Sequence, residues 1–514
     1  MFLLLLFVKK LYIKEFYLSC IQTGKFIFDL ISNSYGPNIG YKLIINKNDF
    51  LLSKRGVVFF DITLSNNLIF LIFSNILTIQ KNSFGDGSIT IILLIYSFFK
   101  KTVRMFSRGV SLLEINKNYI ILFNIVNKIL NMLTFKIIGW KKSKDYFILS
   151  VYSNLVSKLY FFRIFRPHVL SSRYAELCVN ASLTVYDYKK NTIKINLIKI
   201  EGRFGVLAED SYLIKGFIIQ NGFSNIWVPK KLHNAIVMVT SNKLEPSTID
   251  EINVVEINQF DSFKKIWEIK KKFYNDIIIS FKKIKINLLV TQWGVKDELK
   301  YLFFKNNISI LCWVGSNNLE ILSIITKARI IANYFDINFN RVGFSKLVRE
   351  FSFQDHSKVL IFDNFYSPKC VTIFLICTKN FILKENKILI KNAIKTLSIL
   401  LKTKNFLLTN GYSELVIVIT LFNLNSRYFY NSNDFLNCFT ASLEIIPAYL
   451  LQYSKKNSKL FIDFLKRKII ILSSRTYIHY SDKLYIEPKS IRQSIYYLVF
   501  KTVFILANIS KVLY

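Results

Sequence analysis

The amino-acid sequence predicts a multidomain α/β protein, and three observations lead to this fold class. The chain has 514 residues. That length corresponds to about three domains of roughly 100–200 residues each. Residues 286–316 read as an apolar strand, a helix and a second apolar strand, which is the pattern of a βαβ unit. Helix-like apolar stretches at Leu18–Ser34 and Ser88–Lys100 enclose strand-like runs at 43–47 and 57–63.

Charge and amino-acid usage point to different classes of protein. A formal net charge of +37 is typical of a protein that binds nucleic acid, but the lysines and arginines are scattered along the chain. Phe (47) and Tyr (28) are abundant while Gly (16) and Pro (7) are scarce, as in a gene that has drifted towards A/T-rich codons. We attribute the charge to this drift and expect no nucleic-acid partner. The alternative is an RNA-binding or ribosomal protein of an A/T-rich organelle.

The apolar segments do not predict a membrane protein. Ile62–Gln80 is free of charge and nearly long enough to span a bilayer, but Asn66, Asn67 and Asn75 interrupt it. Met1–Val8 lacks the features of a signal peptide. The six cysteines form no C-x-x-C pair and the four histidines show no metal-ligand spacing. We therefore expect a cytoplasmic protein without membrane contact, with reduced core cysteines and no zinc site.

Short motifs along the chain carry a family resemblance. Gln292-Trp293-Gly294, Asn306-Asn307 and Trp313-Val314-Gly315 resemble the eukaryotic cytosolic chaperonin family, and within it the epsilon-type subunits. The resemblance runs from about Leu18 to the C-terminus. Further motifs follow in the family's order: Gly36-Pro37-Asn38, Gly85-Asp86-Gly87-Ser88, Ala175-Glu176-Leu177, Leu197 to Gly202, Pro229-Lys230-Lys231 and Leu443 to Pro447. Each motif alone is weak, but their common order makes chance a poor explanation.

The resemblance implies the fold of a group II chaperonin with three nested domains. Its helical equatorial domain would comprise residues 1–143 and 403–514, and its hinge-like intermediate domain residues 144–214 and 368–402. An α/β apical domain that binds substrates would comprise residues 215–367. Within these domains we expect strands at Ser182–Val185 and Ile195–Ile200, and the segment from Gly222 to Pro246 resembles the family's helical lid protrusion.

Membership of that family would also define the partners. The chain would assemble with paralogous chaperonin subunits into a hetero-oligomeric double ring in the cytoplasm. Unfolded proteins such as actin and tubulin would be its clients, and their folding would depend on ATP.

Gly85-Asp86-Gly87-Ser88 is the candidate phosphate loop. The glycines permit close backbone approach to phosphate, and amides at the start of the following helix favour anions. Asp86 could share Mg²⁺ with phosphate oxygens. From the residues alone a plain tight turn is the alternative. The resemblance implies an ATP or ADP site with Mg²⁺, in which Asp86 is the metal ligand and Ser88 a phosphate contact.

Two further loops complete the implied site. Gly36-Pro37 resembles the first phosphate loop of the family. Thr409-Asn410-Gly411 matches its triple-glycine loop and keeps only the last glycine. The hinge loop expected at Phe162–Phe165 lacks the family's glycine and lysine, and the adenine and ribose loop expected near Thr476–Leu484 is not recognisable.

The sequence departs from the family where water would be activated. Arg55 stands in place of one carboxylate, in Lys54-Arg55-Gly56, and Asn392 in place of a second. An amide can hold water but cannot take its proton, and a positioned acid or base contributes about 10²–10⁴ in rate. We expect weak or static nucleotide binding with little turnover, so enzymatic activity is left open. Arg55 would either pair with a terminal phosphate or fill an empty site.

One apolar helix face admits two interpretations. Phe263, Ile266, Trp267, Phe273, Tyr274, Ile277, Ile278 and Phe281 fall near one face of a helix. The helix packs on a sheet with this face, or its edge faces the folding cavity, where Lys264 and Lys271 would grip acidic or apolar client segments.

Overall fold

The computed structural model describes most of the chain. The described residues are 13–36, 41–46, 49–58, 68–139, 143–159, 167–205, 207–225, 227–245, 260–332, 336–353, 357–363, 370–409, 411–423, 432–452, 463, 466 and 485–509. No helix in these ranges is long and apolar enough to cross a bilayer.

The described chain contains both helices and strands. The helices are α1 (Ile13–Ser32), α2 (Leu68–Ser83), α3 (Ser88–Ser107), α4 (Leu112–Met132), α5 (Ser143–Val156), α6 (Pro167–Val185), α7 (Phe260–Ile284), α8 (Asp297–Lys305), α9 (Ser316–Thr326), α10 (Asn380–Thr403), α11 (Tyr412–Asn423), α12 (Ser432–Leu443), α13 (Ile445–Gln452) and α14 (Lys489–Asn508). The strands are β1 (Lys42–Asn46), β2 (Asp49–Ser53), β3 (Phe135–Lys136), β4 (Tyr186–Asp187), β5 (Thr192–Ile193), β6 (Ile198–Phe204), β7 (Tyr212–Ile214), β8 (Gly216–Ile219), β9 (Lys231–Thr240), β10 (Leu288–Thr291), β11 (Ser309–Leu311), β12 (Ile330–Ile331), β13 (Gly343–Ser352), β14 (Lys358–Asp363), β15 (Val371–Cys377), β16 (Asn405–Leu408) and β17 (Ile486–Pro488).

A helical core joins the first and last parts of the chain around α3. This helix is apolar on nearly every side, which suits a position surrounded by other helices, and α1, α12 and α14 pack against it. The ring of Phe98 in α3 packs edge-on or tilted against those of Tyr119, Phe439 and Phe500, which come from three other helices. Helices are therefore present at both apolar stretches that the sequence predicted, although α1 starts before Leu18 and α3 continues past Lys100.

Strands β1 and β2 form an antiparallel hairpin that leads into the helical core. The strand predicted at 57–63 is wrong for its first two residues, because Gly56 to Val58 form a helical turn. Val57 and Val58 are buried there, Val57 against the helical core, so burial overrides the strand preference of valine. Residues 59–63 lie outside the described ranges.

A second core packs α5, α6 and α10 against the three-stranded sheet β6-β15-β7. The strand expected at Ser182–Val185 is wrong, because α6 continues through Val185. Its small residues Ala181 and Ser182 are fully buried, so close packing holds this segment in the helix. At Ile195–Ile200 a 3₁₀ turn (Ile195–Leu197) precedes the strand, which begins at Ile198.

A seven-stranded sheet forms the middle part of the chain, in the order β11-β10-β9-β13-β14-β8, with β12 also paired to β9. The predicted βαβ unit is present: β10 and β11 pair in parallel, with α8 between them in sequence. We expected a helical protrusion from Gly222 to Pro246, and for the described part of this segment that prediction is wrong. Lys231–Thr240 is the central strand β9, whose apolar second half lies within the sheet, and residues 246–259 are not described.

Helix α7 packs with part of its apolar face. Tyr274, Ile277, Ile278 and Phe281 are buried in a cluster beneath the seven-stranded sheet, whereas Trp267 is half exposed. The side chains of Phe263 and Ile266 lie outside the description. The packing interpretation therefore holds for the C-terminal half of this helix.

Candidate nucleotide-binding site

A cavity of about 160 Å³ lies where the helical core meets the second core. Its walls come from eight places in the chain: Gly36 after α1, Lys54 and Arg55 after β2, the end of α2 with the turn Gly85–Ser88, the end of α5, the middle of α10, Thr409 after β16, Leu450 of α13, and β17 with the start of α14. Five of these eight were singled out from sequence, Thr409 among them. The end of α5, Leu450 and the β17–α14 wall were not.

The turn before α3 has the backbone that a phosphate loop needs. Gly85 and Gly87 have φ values of +78° and +88°, in the left-handed region that favours glycine. A methyl group at Gly85 would lie 2.9 Å from the carbonyl oxygen of Asn392, so only glycine fits. Ser88 begins α3, and the helix N-terminus at the cavity wall provides amide donors for an anion.

In the contacts that the described residues make, Asp86 is held through one carboxylate oxygen. Its Oδ1 accepts hydrogen bonds from the Gly87 amide at 2.7 Å and from Lys158 Nζ at 2.8 Å, and Lys158 also donates to Asn154 Oδ1 at 2.6 Å. Both contacts end on Oδ1, so Oδ2 can ligate a cation. Mg²⁺ is commonly held by one or two carboxylates together with phosphate oxygens. Asp86 fits that role, and the described residues contain no group of three or more His, Cys, Asp and Glu that would hold a metal by themselves.

Arg55 is engaged by a carboxylate of α10. Its Nε and Nη2 donate to Glu385 Oε1 and Oε2 at 2.8 and 2.6 Å, and both side chains are nearly buried. Ser53 Oγ donates to the same Oε1 at 2.9 Å and accepts from the Arg55 amide at 3.0 Å. This arrangement shows the partner of Arg55, and both roles expected for Arg55 stay predictions.

Asn392 lines the same cavity two helical turns after Glu385, and its side chain is buried. The position where a second carboxylate was expected therefore faces the cavity with an amide. Among the described residues that line the cavity, the carboxylates are Asp86 and Glu487. Asp86 is paired with Lys158 and Glu487 with Arg492, so neither is an unpaired base for water.

A buried ionic network forms the floor of the cavity. Arg492 of α14 pairs with Glu414 of α11 and with Glu487 of β17, and Tyr496 donates to Glu414 at 3.4 Å. Glu414 is completely buried. Burial raises the pKa of Glu487 to about 7, although Arg492 favours its charged form.

The cavity carries an excess of cationic side chains. Lys54, Arg55, Lys81, Lys158 and Arg492 line it. Burial lowers the pKa of Lys54 to about 8. The glycine turn and the N-terminus of α3 present backbone amides to the cavity, and its side chains carry more positive than negative charge. Both features suit a polyphosphate anion.

The remaining predicted residues have different outcomes. Gly36 lines the cavity with a φ of +119°, and Pro37 lies outside the described residues. Gly411 makes a left-handed turn with φ +79° against Pro447, but it is not among the residues that line the cavity. Thr409 of the same loop lines it instead. Phe162–Phe165 and Thr476–Leu484 are not described.

Sequence reasoning missed four residues of the site: Lys158, Glu385, Glu487 and Arg492. Glu487-Pro488 directly before a helix was a usable signal, because a proline at that place starts helices and an acid beside it can face their amide end. Lys158, Glu385 and Arg492 had no comparable signal, since Asp86, Arg55 and Glu414, with which they form ion pairs, are 72, 330 and 78 residues away.

Comparisons with known proteins agree in one family. A model of the TCP-1/cpn60 chaperonin family matches residues 27–469. The chain is 23% identical over 430 residues to T-complex protein 1 subunit epsilon of Encephalitozoon cuniculi, which covers 83% of this chain and 79% of that protein. It is 20% identical over 436 residues to a thermosome subunit of Pyrococcus horikoshii, which covers 84% of this chain and 77% of that protein. A thermosome subunit of Pyrococcus abyssi is 19% identical with the same coverage.

Proposed function

Because the chain belongs to the TCP-1/cpn60 chaperonin family, we propose that it is a divergent epsilon-like subunit of a hetero-oligomeric cytosolic chaperonin. In this proposal it occupies one position in a double ring beside paralogous subunits. The similarity to an epsilon subunit over 83% of the chain is the observation that carries the assignment. The thermosome relatives support the same kind of subunit.

The proposed clients are unfolded proteins, including actin and tubulin, which are bound by the part built on the seven-stranded sheet. The proposed domain plan assigns residues 215–367 to this apical part, 144–214 with 368–402 to the hinge, and 1–143 with 403–514 to the equatorial part. The shared core of the N-terminal and C-terminal helices supports the nesting, because residues from Phe16 to Leu130 pack with residues from Leu407 to Leu506.

We further propose that the cavity binds ATP or ADP in a weak or static way, with little turnover. The glycine turn, the N-terminus of α3 and the lysines would hold the phosphates, and Asp86 would hold Mg²⁺ with them. When bound, Mg²⁺ would neutralise phosphate charge. Hydrolysis also requires a base for water, and Arg55 and Asn392 stand where the family's carboxylates would be. Paralogous subunits would then supply the hydrolysis that drives the ring.

Native purification of the tagged chain from its own cells tests the assignment. We expect a closed, symmetric particle on the order of a megadalton that contains several sequence-related subunits and little RNA. A ribonucleoprotein particle would favour the alternative of an RNA-binding protein, and its stability would then fall steeply with salt. A lone monomer would contradict the ring.

Single-turnover hydrolysis by the same particles tests the static site. Particles that carry the wild-type chain and particles that carry Asp86→Asn should release equal amounts of phosphate. The double variant Arg55→Asp with Asn392→Asp should add one phosphate per copy of this chain, because restored carboxylates can raise the rate by about 10²–10⁴. Wild-type particles that already release this extra phosphate would refute the proposal.

A further inference from the structure

The contact between Arg55 and Glu385 joins two parts of the molecule that are distant in sequence. Arg55 follows β2 in the first helical part, whereas Glu385 lies in α10, which packs in the second core. The guanidinium group is held by both carboxylate oxygens, at 2.8 and 2.6 Å. A bidentate pair between a charged guanidinium group and a carboxylate is stronger and more directional than a single hydrogen bond between neutral groups.

Helix α10 follows the cavity wall beyond this pair. Asn392, seven residues and two turns after Glu385, presents its carbonyl oxygen to Gly85 so closely that a methyl group there would lie 2.9 Å away. Lys395 Nζ donates to the Asn82 carbonyl at 3.5 Å. One helix therefore contacts segments around the cavity at three successive places: the end of β2, the glycine turn and the end of α2. The first of these contacts is ionic.

The charge of Arg55 decides what this contact does. A carboxylate at position 55, which the resemblance implies for the family, would face the carboxylate of Glu385, and the two would repel unless a cation or ligand came between them. Arg55 replaces that repulsion by attraction. Ser53 strengthens it, because its hydroxyl donates to Glu385 while it accepts from the Arg55 amide.

We propose that Arg55, Ser53 and Glu385 form a built-in latch that holds α10 on the nucleotide cavity whether or not nucleotide is bound. The inference rests on the proposed function, in which α10 belongs to the hinge. A latched subunit would keep one hinge position while its neighbours respond to ATP. Nucleotide binding and hinge position are then uncoupled in this chain, in addition to any loss of hydrolysis.

Hydrogen exchange of the assembled particle, with and without ADP, tests the latch. In the wild-type chain the amides of α10 and β2 should exchange at rates that ADP changes less than twofold. Glu385→Gln should speed exchange in both elements at least tenfold without ADP, and ADP should slow it again. The charge-swapped variant Arg55→Glu with Glu385→Arg should restore wild-type protection.

Arg108→Ala is the matched control. Arg108 pairs with Asp434 across a similar sequence distance, 326 residues against 330, but both side chains are well exposed, so its loss should leave exchange of α10 unchanged. Ser53→Ala is a milder variant of the latch, and it serves in place of Glu385→Gln if that variant does not fold. It should raise the exchange rate of the α10 amides by less than the tenfold expected for Glu385→Gln.

Two results would overturn the latch. One is an ADP-dependent slowing in the wild-type chain as large as that in the latch variant. The other is unchanged α10 exchange in both Ser53→Ala and Glu385→Gln. A chain that never joins a ring would contradict the proposed function instead, and the exchange experiment on that chain alone would still decide the latch, because all three residues lie in one chain.

Discussion

Removal of Arg492 should destabilise the chain strongly at neutral pH and weakly at pH 5. Arg492 is nearly buried and balances Glu414, which is fully buried, and Glu487. Methionine has a similar length but no charge, so Arg492→Met leaves these carboxyl groups without their cation. Loss of one partner from a buried pair typically costs about 3–5 kcal/mol.

The pH dependence arises because the variant can neutralise a buried carboxylate by protonating it. An isolated buried carboxylate takes up a proton, and keeping one glutamate protonated at pH 7 against an ordinary pKa near 4.3 costs about 3.7 kcal/mol. At pH 5 the same protonation costs about 1 kcal/mol. A loss of 1 kcal/mol lowers the thermal unfolding midpoint of a domain of about 150–250 residues by about 2–4 °C. The midpoint of the variant should therefore fall by about 8–15 °C at pH 7 and by about 2–4 °C at pH 5.

Thermal unfolding of wild type and Arg492→Met at the two pH values measures this difference. Arg108→Met serves as the control, because its exposed pair with Asp434 should contribute at most about 1 kcal/mol at either pH. A loss at pH 7 no greater than that of Arg108→Met would refute the reasoning. An equal loss at both pH values would show that protonation of a stranded carboxylate is not the cause.

Two further predictions concern the cavity wall. The folded-state pKa of Glu487 is raised to about 7 from an ordinary 4.5, so stability should fall as pH rises between these values, by up to about 1.4 kcal/mol per pH unit. Glu487→Gln should flatten this slope in thermal unfolding, and an unchanged slope would contradict the assignment. Gly87→Ala should destabilise more than Gly109→Ala by about 1–3 kcal/mol. Both glycines have φ near +90°, but the new methyl group would meet Ile495 Cδ1 at 2.7 Å only at Gly87; equal midpoints would show that Ile495 moves aside freely.

Local pattern was sufficient wherever neighbouring residues decide the structure. The apolar run after Ser88 predicted a helix, and Gly85-Asp86-Gly87 predicted a phosphate loop or a tight turn before it; the structure has a helix there, and its turn is left-handed at both glycines. The βαβ unit was equally readable, since each strand is a short apolar run closed by a turn residue. These features depend on periodicity and glycine chemistry within a few residues.

Pattern failed where packing with distant segments overrides local preference. Ser182–Val185 has the β-branched residues of a strand, but the burial of Ala181 and Ser182 keeps it in α6. Lys231–Thr240 is placed by its pairing with β10, β12 and β13, which lie from 48 to more than 100 residues further along the chain.

The sequence by itself determined the family, the glycine turn beside the cavity and the presence of Arg55 and Asn392 where carboxylates were expected. Only the tertiary structure decided what those residues contact. Arg55 meets Glu385 across 330 residues, and Arg492 meets Glu414 across 78. An ion pair depends on distance in space and on burial, and neither can be read from the order of residues along a chain.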